Sequence, residues 1–395
     1  MKKWYVMGIV ILMALLFGTG PALGEVGITD KEIKIGVWTP LSGPLALLGT
    51  SARDGVQVWA DEVNAAGGIY GRKISVIVYD DGASPQEGQA AVRRLVEQDK
   101  VFMLIAGSSS GSTLPMRKYI TKKKVPFVSS ISSNNNLMNP FSRYIFRIYA
   151  NETDQAKAII NWMMDHEKIK RPAIIYNSND YGVGGYEEVK AQLHEKYGME
   201  LVAAERYNPG DQDFSAQLLK IKDAQPDGVL VYAFAASAGI IARQANELGI
   251  QAKMFGGGAT ATNLFQRAAG EASVGFTACF VLPEMADNEE APAVKSYRDQ
   301  LKASTYPNGF PAGRPSEYDL SAYGAGKVCG EALLKAGKDV TRESFIDALE
   351  SLKEFETGIT FPITYGSDDH EGTSQMQVIT IGEDLKWHVN HSAAK

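Results

Sequence analysis

The 395-residue chain has only two cysteines, Cys279 and Cys329. Two cysteines in a chain this long exclude a disulfide framework. Cys279 falls in an apolar strand-like run and Cys329 in a helix-like one. Buried free thiols are therefore expected, with one disulfide as the alternative. Histidine is also scarce, and His166, His194, His370, His388 and His391 show no metal-ligand spacing with cysteine. No metal and no cofactor is expected. Basic charge is short too: 40 Lys and Arg face 46 Asp and Glu, for a net charge of −6. That balance offers no electrostatic case for binding nucleic acid. There is no phosphate-binding loop, no short repeat and no low-complexity tract.

Long hydrophobic runs are missing everywhere except at the amino terminus. Lys2 and Lys3 precede an uncharged apolar stretch, Trp4 to Phe17. Pro21-Ala22-Leu23-Gly24 then puts small residues at the −3 and −1 positions of a cut before Glu25. The stretch is short for a bilayer span of about 20 residues. Residues 1–24 are therefore expected to be a cleaved signal peptide, with the remaining chain delivered to the periplasm. No cysteine lies near the end of the apolar stretch, so a lipid-anchored amino terminus is not expected.

What is present is a regular alternation. Strand-like runs occur at Glu32–Trp38, Lys73–Tyr79, Val101–Ala106 and Val125–Val128, with helical spacing over Ser51–Ala66 and Ser112–Lys122. Ser84-Pro85-Gln86-Glu87 has the order of a helix start: cap, proline, then an acid at the third helical position. The rhythm resumes with strands at Ala173–Tyr176, Leu201–Glu205, Gly228–Tyr232, Met254–Gly256 and Phe276–Leu282. Helices fall between them near Gly185–Tyr197, Phe214–Ala224 and Ala236–Leu248. Three more helices cover Ala291–Ala303, Tyr318–Ala336 and Thr341–Leu352. Gln375–Ile381 and Lys386–Val389 form a terminal hairpin around Gly382-Glu383-Asp384. Continuous apolar strands with helical crossovers predict parallel sheets covered on both faces. The fold class is α/β, in two lobes.

In open parallel sheets ligands bind beyond the carboxyl ends of the strands. The third strand runs into Gly107-Ser108-Ser109-Ser110-Gly111-Ser112-Thr113, and the fourth into Ser129-Ser130-Ile131-Ser132-Ser133-Asn134. Free backbone N–H groups and serine hydroxyls at a helix start favour a carboxylate or polar carbonyl. Two convergent polar loops are what an orienting site needs. Asp80-Asp81 is read as a turn cap rather than a catalytic pair. Gly256-Gly257-Gly258 is turn chemistry, or a place where the backbone approaches a ligand closely.

The chain resembles the Leu/Ile/Val-type periplasmic binding proteins, type I solute-binding proteins of ABC transporters. The likeness rests on Pro40-Leu41-Ser42-Gly43-Pro44 with Gly49, on Asn64-Ala65-Ala66-Gly67-Gly68-Ile69 with Gly71, and on Tyr79-Asp80-Asp81. It continues through Asp180-Tyr181-Gly182, Asp213-Phe214-Ser215 and Arg243-Gln244-Ala245 with Leu248-Gly249. The resemblance implies two Rossmann-like lobes joined by a three-crossover hinge. Lobe one is expected over 31–150 plus 282–355, and lobe two over 151–281 plus 356–395. It also implies a monomer that captures a small molecule, passes it to a membrane permease, and is not an enzyme.

By that resemblance Ser110, the backbone at Ile131, and Ser133 would hold a ligand carboxylate. Tyr181, Phe234 and Tyr318 would line the pocket, and Leu48 stands where an aromatic is common. Gly257 and Gly258 fall where relatives put an acid against a ligand ammonium. This stretch has none, and an unpaired buried ammonium costs several kcal/mol. The expected ligand is therefore either an amino acid, with Glu284 or Asp180 supplying the charge, or an aromatic or hydrophobic acid; an amide is a further option. Two other readings are a secreted hydrolase or amidase using Ser110, which would need a histidine base, and a ligand sensor for a signalling partner.

Overall fold

The computed structural model describes residues 24–286, 288, 290–303 and 316–393. The expected signal segment, apart from Gly24, lies outside them. Apolar runs and capping residues set the elements. In the first half these are β1 (Glu32–Thr39), α1 (Ala46–Ala65), β2 (Lys73–Asp80), α2 (Pro85–Glu97), β3 (Met103–Ala106), α3 (Ser110–Thr113), α4 (Arg117–Lys123), β4 (Phe127–Ser129) and β5 (Ile145–Arg147). They are followed by α5 (Glu152–Asn161), β6 (Pro172–Asn177), α6 (Asp180–Tyr197), β7 (Ala203–Tyr207), α7 (Ser215–Asp223), β8 (Gly228–Tyr232), α8 (Ala235–Glu247), β9 (Lys253–Gly256), α9 (Asn263–Ala269) and β10 (Thr277–Phe280). The chain ends with α10 (Pro292–Ala303), α11 (Glu317–Ala336), α12 (Arg342–Glu350), β11 (Met376–Ile381) and β12 (Trp387–Ala393).

Two sheets result, in the order β2-β1-β3-β4-β5 and β12-β11-β10-β9-β8-β6-β7. The first is parallel throughout. The second is parallel except where β11 pairs antiparallel with both β10 and β12. β3 and β8 are buried along their whole length, as strands covered on both faces must be. α11 lies along α1 and so returns the chain to the first sheet, whereas β11 and β12 extend the second. The chain thus passes between sheets three times: after β5, after β10 and after α12.

Arg147 fastens the first crossover to the third. Its Nη2 donates to both oxygens of Glu371 at 2.6 Å, and its carbonyl accepts from Gly372 N at 2.8 Å and from Tyr365 Oη at 3.1 Å. Gln377 Nε2 ties the third crossover to the second through the carbonyls of Leu282 (3.2 Å) and Pro283 (2.7 Å).

Several details differ from the sequence reading. The helix expected over Ser112–Lys122 is broken into α3, a 3-10 turn at Leu114–Met116, and α4. Pro115 in the middle of it has no N–H to donate. β5, α5 and α9 had no counterpart in the sequence reading, and the three residues of β5 are too few for a periodic signal. Cys279 and Cys329 are both free and buried. The Ser84 cap forms as its sequence order implies, with Oγ accepting from Glu87 N. Asp80 Oδ1 accepts from Leu41 N and Gly82 N, so the Asp pair caps a turn. Among the described residues no helix is long and apolar enough to cross a membrane.

Two glycines mark equivalent joints in the two lobes. A Cβ on Gly49 would sit 1.9 Å from the Pro40 carbonyl oxygen, and one on Gly182 the same 1.9 Å from that of Asn177. In each case the first turn of a helix packs directly on the end of the preceding strand, which only a missing side chain allows.

Candidate functional site

The carboxyl ends of the two sheets face each other across a cavity. Leu48, Ser110, Ile131, Ser133, Tyr181, Phe234, Gly258 and Tyr318, all expected in the site, line it together. Gly257 does not. A Cβ there would fall 3.0 Å from the Tyr232 ring and 3.1 Å from Tyr181 Oη, so these two rings occupy the space a side chain would need. Glu284 and Asp180, the two acids considered as ammonium partners, are not in the lining either. Glu284 faces a separate groove behind β10, and Asp180 Oδ2 lies against Gly111 at the seam between the lobes.

The serine loops are built from the backbone outward. β3 ends in two consecutive left-handed residues, Ala106 (φ 64°) and Gly107 (φ 79°). For alanine this conformation is strained, and such strain gathers at ligand-holding turns. The turn delivers Ser109 and Ser110 to the cavity. Ser110 Oγ lies 3.0 Å from Ser132 Oγ. Ser112 and Thr113 face away: Ser112 Oγ donates to Asp81 Oδ2 at 2.6 Å, and Thr113 Oγ1 to the Ser108 carbonyl at 2.9 Å. In the next loop Arg147 Nη1 donates to the carbonyls of Ser132 (3.4 Å), Ser133 (2.7 Å) and Asn134 (3.1 Å), so a buried cation fixes the loop backbone. Ser133 Oγ is 3.3 Å from Glu152 Oε1. Ser130 Oγ lines the cavity and is buried without a hydrogen-bond partner among the described residues.

The rest of the lining is mostly apolar and aromatic. Tyr181 packs on Phe234 with ring centroids 5.0 Å apart. Burial pushes the phenols of Tyr149, Tyr181 and Tyr318 far up, so all three stay neutral. The lining also holds residues that the sequence did not single out, among them Ser130, Tyr149, Gln155 and Glu317. Gln155 Oε1 accepts from Gly258 N at 3.0 Å and holds the glycine turn in place. Glu317 opens α11, and its two oxygens accept from Ala286 N and Asn263 N, each at 3.4 Å. A signal for Gln155 was present in Asn151-Glu152-Thr153-Asp154, because Asn151 caps α5 by accepting from Asp154 N. Glu317 stands one residue before Tyr318, at the start of a helix whose cap, Ser316, is equally visible.

Contacts across the cleft hold the lobes together. Tyr318 Oη donates to the Ala259 carbonyl at 3.0 Å, and Asn134 Nδ2 to that of Asp180 at 2.9 Å. Asn135 Nδ2 reaches Thr153 Oγ1 and Glu188 Oε1, each at 2.7 Å. At the outer lip a methyl on Gly210 would touch the Pro44 ring at 3.9 Å. The arrangement encloses a small molecule and offers hydroxyl and backbone donors at one wall. Among the described residues no group of acids, histidines and cysteines could hold a metal ion.

Comparison with known proteins agrees with this geometry. The Leu/Ile/Val-binding protein BraC3 of Rhizobium johnstonii is 29% identical over 86% of this chain and 89% of its own length. A leucine-, isoleucine-, valine-, threonine- and alanine-binding protein of Pseudomonas aeruginosa is 28% identical over 82% of this chain and 83% of its own. The crystal structure of LivJ from Streptococcus pneumoniae, a branched-chain amino acid transporter substrate-binding protein in complex with isoleucine, superposes with a TM-score of 0.77 at 28% identity. That match covers 92% of this chain and 99% of LivJ. The family model described as "Periplasmic binding protein" matches residues 32–386. The two facing lobes and the match along nearly the whole described chain lead to one conclusion: the protein belongs to the periplasmic binding protein family, whose matched relatives are extracytoplasmic solute-binding proteins and not enzymes.

Proposed function

We propose that the protein is the capture component of an ABC importer and that its ligand is a small carboxylate with a hydrophobic body. The observation that carries this reading is the two-sided cavity. Serine hydroxyls and backbone around Ser110, Ile131 and Ser133 form one wall, and Tyr181, Phe234 and Tyr318 form the apolar remainder. Ligand docks on lobe one, over 31–150 plus 282–355. Lobe two, over 151–281 plus 356–395, closes on it and excludes water. The closed form is the one a permease recognises. The signal peptide directs export and is cleaved near Gly24/Glu25, and the chain acts as a monomer in the periplasm.

Two ligand classes divide on one feature. The Gly257-Gly258 stretch carries no acid, and a Cβ at Gly257 would crowd the Tyr232 and Tyr181 rings, which favours an aromatic or other hydrophobic acid without an ammonium group. Glu317 in the lining favours an amino acid, with this carboxylate as counter-charge from lobe one. A thermal-shift screen of L-leucine, phenylacetate, benzoate and hexanoate separates them. Stabilisation by leucine alone selects the amino acid and assigns Glu317. Stabilisation by the simple acids selects the second class. If no carboxylate stabilises the protein the reading fails, and ligand turnover would favour a hydrolase instead.

A further inference from the structure

We propose that Glu152 is a positioning residue that sets which way the Ser133 hydroxyl points, so that holding a carboxylate in the serine loops depends on a proton carried by Glu152. The inference rests on the carboxylate reading above.

The Ser133 hydroxyl has a single proton, and its side-chain neighbour is Glu152 Oε1 at 3.3 Å. An ionised carboxylate can only accept. If Glu152 is ionised it takes the Ser133 proton, leaving oxygen lone pairs toward the cavity, where they repel an anion. If Glu152 is protonated it donates to Ser133 Oγ, and the serine O–H is released toward the ligand. The pair is locked in register by the backbone, since Glu152 N donates to the Ser133 carbonyl at 3.1 Å.

The surroundings favour the protonated form. Glu152 is 1% exposed. From β5 it faces the Arg147 guanidinium, which is already engaged by Glu371 and by three loop carbonyls. From α6 it faces Asp180 and Glu188, and Asp154 follows on its own helix. The neighbouring rings of Tyr149, Tyr181 and Tyr232 are neutral phenols. α6 comes close enough that a Cβ on Gly184 would fall 2.2 Å from Glu152 Oε2, so closure seals the group from water. The amino end of α5 and Arg147 both favour the charged form. Burial outweighs them and pushes the carboxyl well above its usual range, with Glu188 and Asp180 adding to the rise.

The test is isothermal titration of the full chain with L-leucine and with benzoate from pH 6 to 9, for the wild type, Glu152→Gln and Ser133→Ala. Wild-type affinity for whichever probe binds should fall as pH rises, approaching tenfold per pH unit above the Glu152 pKa. In Glu152→Gln the side chain has no titratable proton and its amide N–H can donate to Ser133, so the affinity should stay within threefold of the wild-type value at pH 6 and become flat with pH. Ser133→Ala should bind more weakly and should also lose the slope. A flat wild-type profile, or the same slope in Glu152→Gln as in the wild type, overturns the proposal. Should Glu152→Gln fail to fold, titration of the wild type at pH 8.5 in two buffers of different ionisation enthalpy decides the point. Net proton uptake on binding supports the proposal, and zero uptake overturns it. If neither probe binds at any pH, the carboxylate reading itself falls, a result distinct from binding without a pH slope.

Discussion

Each serine hydroxyl in the cleft has one proton to give, and its neighbours decide whether a ligand can have it. Ser112 spends its proton on Asp81. Ser110 shares with Ser132, either of which can donate, so Ser110 can turn its own O–H to a ligand. Ser110→Ala should therefore weaken binding by about 1–3 kcal/mol, the range for a donor lost to a buried anion. Titration calorimetry measures this, and an unchanged affinity would remove Ser110 from the site. Strand ends made the loops of Ser110, Ser133 and Tyr181 legible, and the resemblance to the family picked those residues out of them. The sequence could not sort the remaining serines, because a serine-rich loop does not say which hydroxyls the fold consumes. Ser130 and Glu317 were missed for that reason: their place in the lining depends on the crossing of chain segments far apart in sequence.

At the scale of elements, caps and buried strands were legible and short pieces were not. Ser84 was read as a cap and is one; Asn151, Ser316 and Thr341 cap their helices in the same way but were not named from sequence. The three residues of β5 carry no period, yet they bring Arg147 to the hinge. The α1–α11 contact supplies a test at this scale. A Cβ on Gly55 would fall 2.1 Å from the Asp319 carbonyl oxygen, so the two helices nearly touch there. Beside that contact Asp54 is fully buried, and burial raises its pKa to about 7 against the opposing pull of Arg53. A carboxyl whose folded pKa lies above its unfolded value adds stability at low pH and loses it as pH rises through about 7. Asp54→Asn should remove that loss. Relative to the wild type, the variant should be more stable at pH 8 than at pH 5 by roughly 2 kcal/mol. Urea unfolding at the two pH values checks this, and a pH-independent difference would refute it.

Across the whole molecule, binding energy and closing energy are one quantity. A ligand held between lobes gains from every bond that closure makes, including those that never touch it. Asn135 is outside the lining, yet it bridges to Thr153 and Glu188 across the seam. Asn135→Ala should weaken capture by about 1 kcal/mol through loss of the closed form. Calorimetry reads the affinity, and X-ray scattering should show less ligand-induced compaction than in the wild type. An affinity equal to the wild type would mean that the seam bonds also persist in the open form. The two-lobe plan was readable from strand rhythm, but the seam was not, because it joins loops that no local pattern relates. The meeting of Pro44 and Gly210 at the outer lip has a practical use as well. Donor and acceptor dyes attached on either side of that contact would turn occupancy of a hidden chamber into colour. The chain would then serve as an optical gauge of its own occupancy.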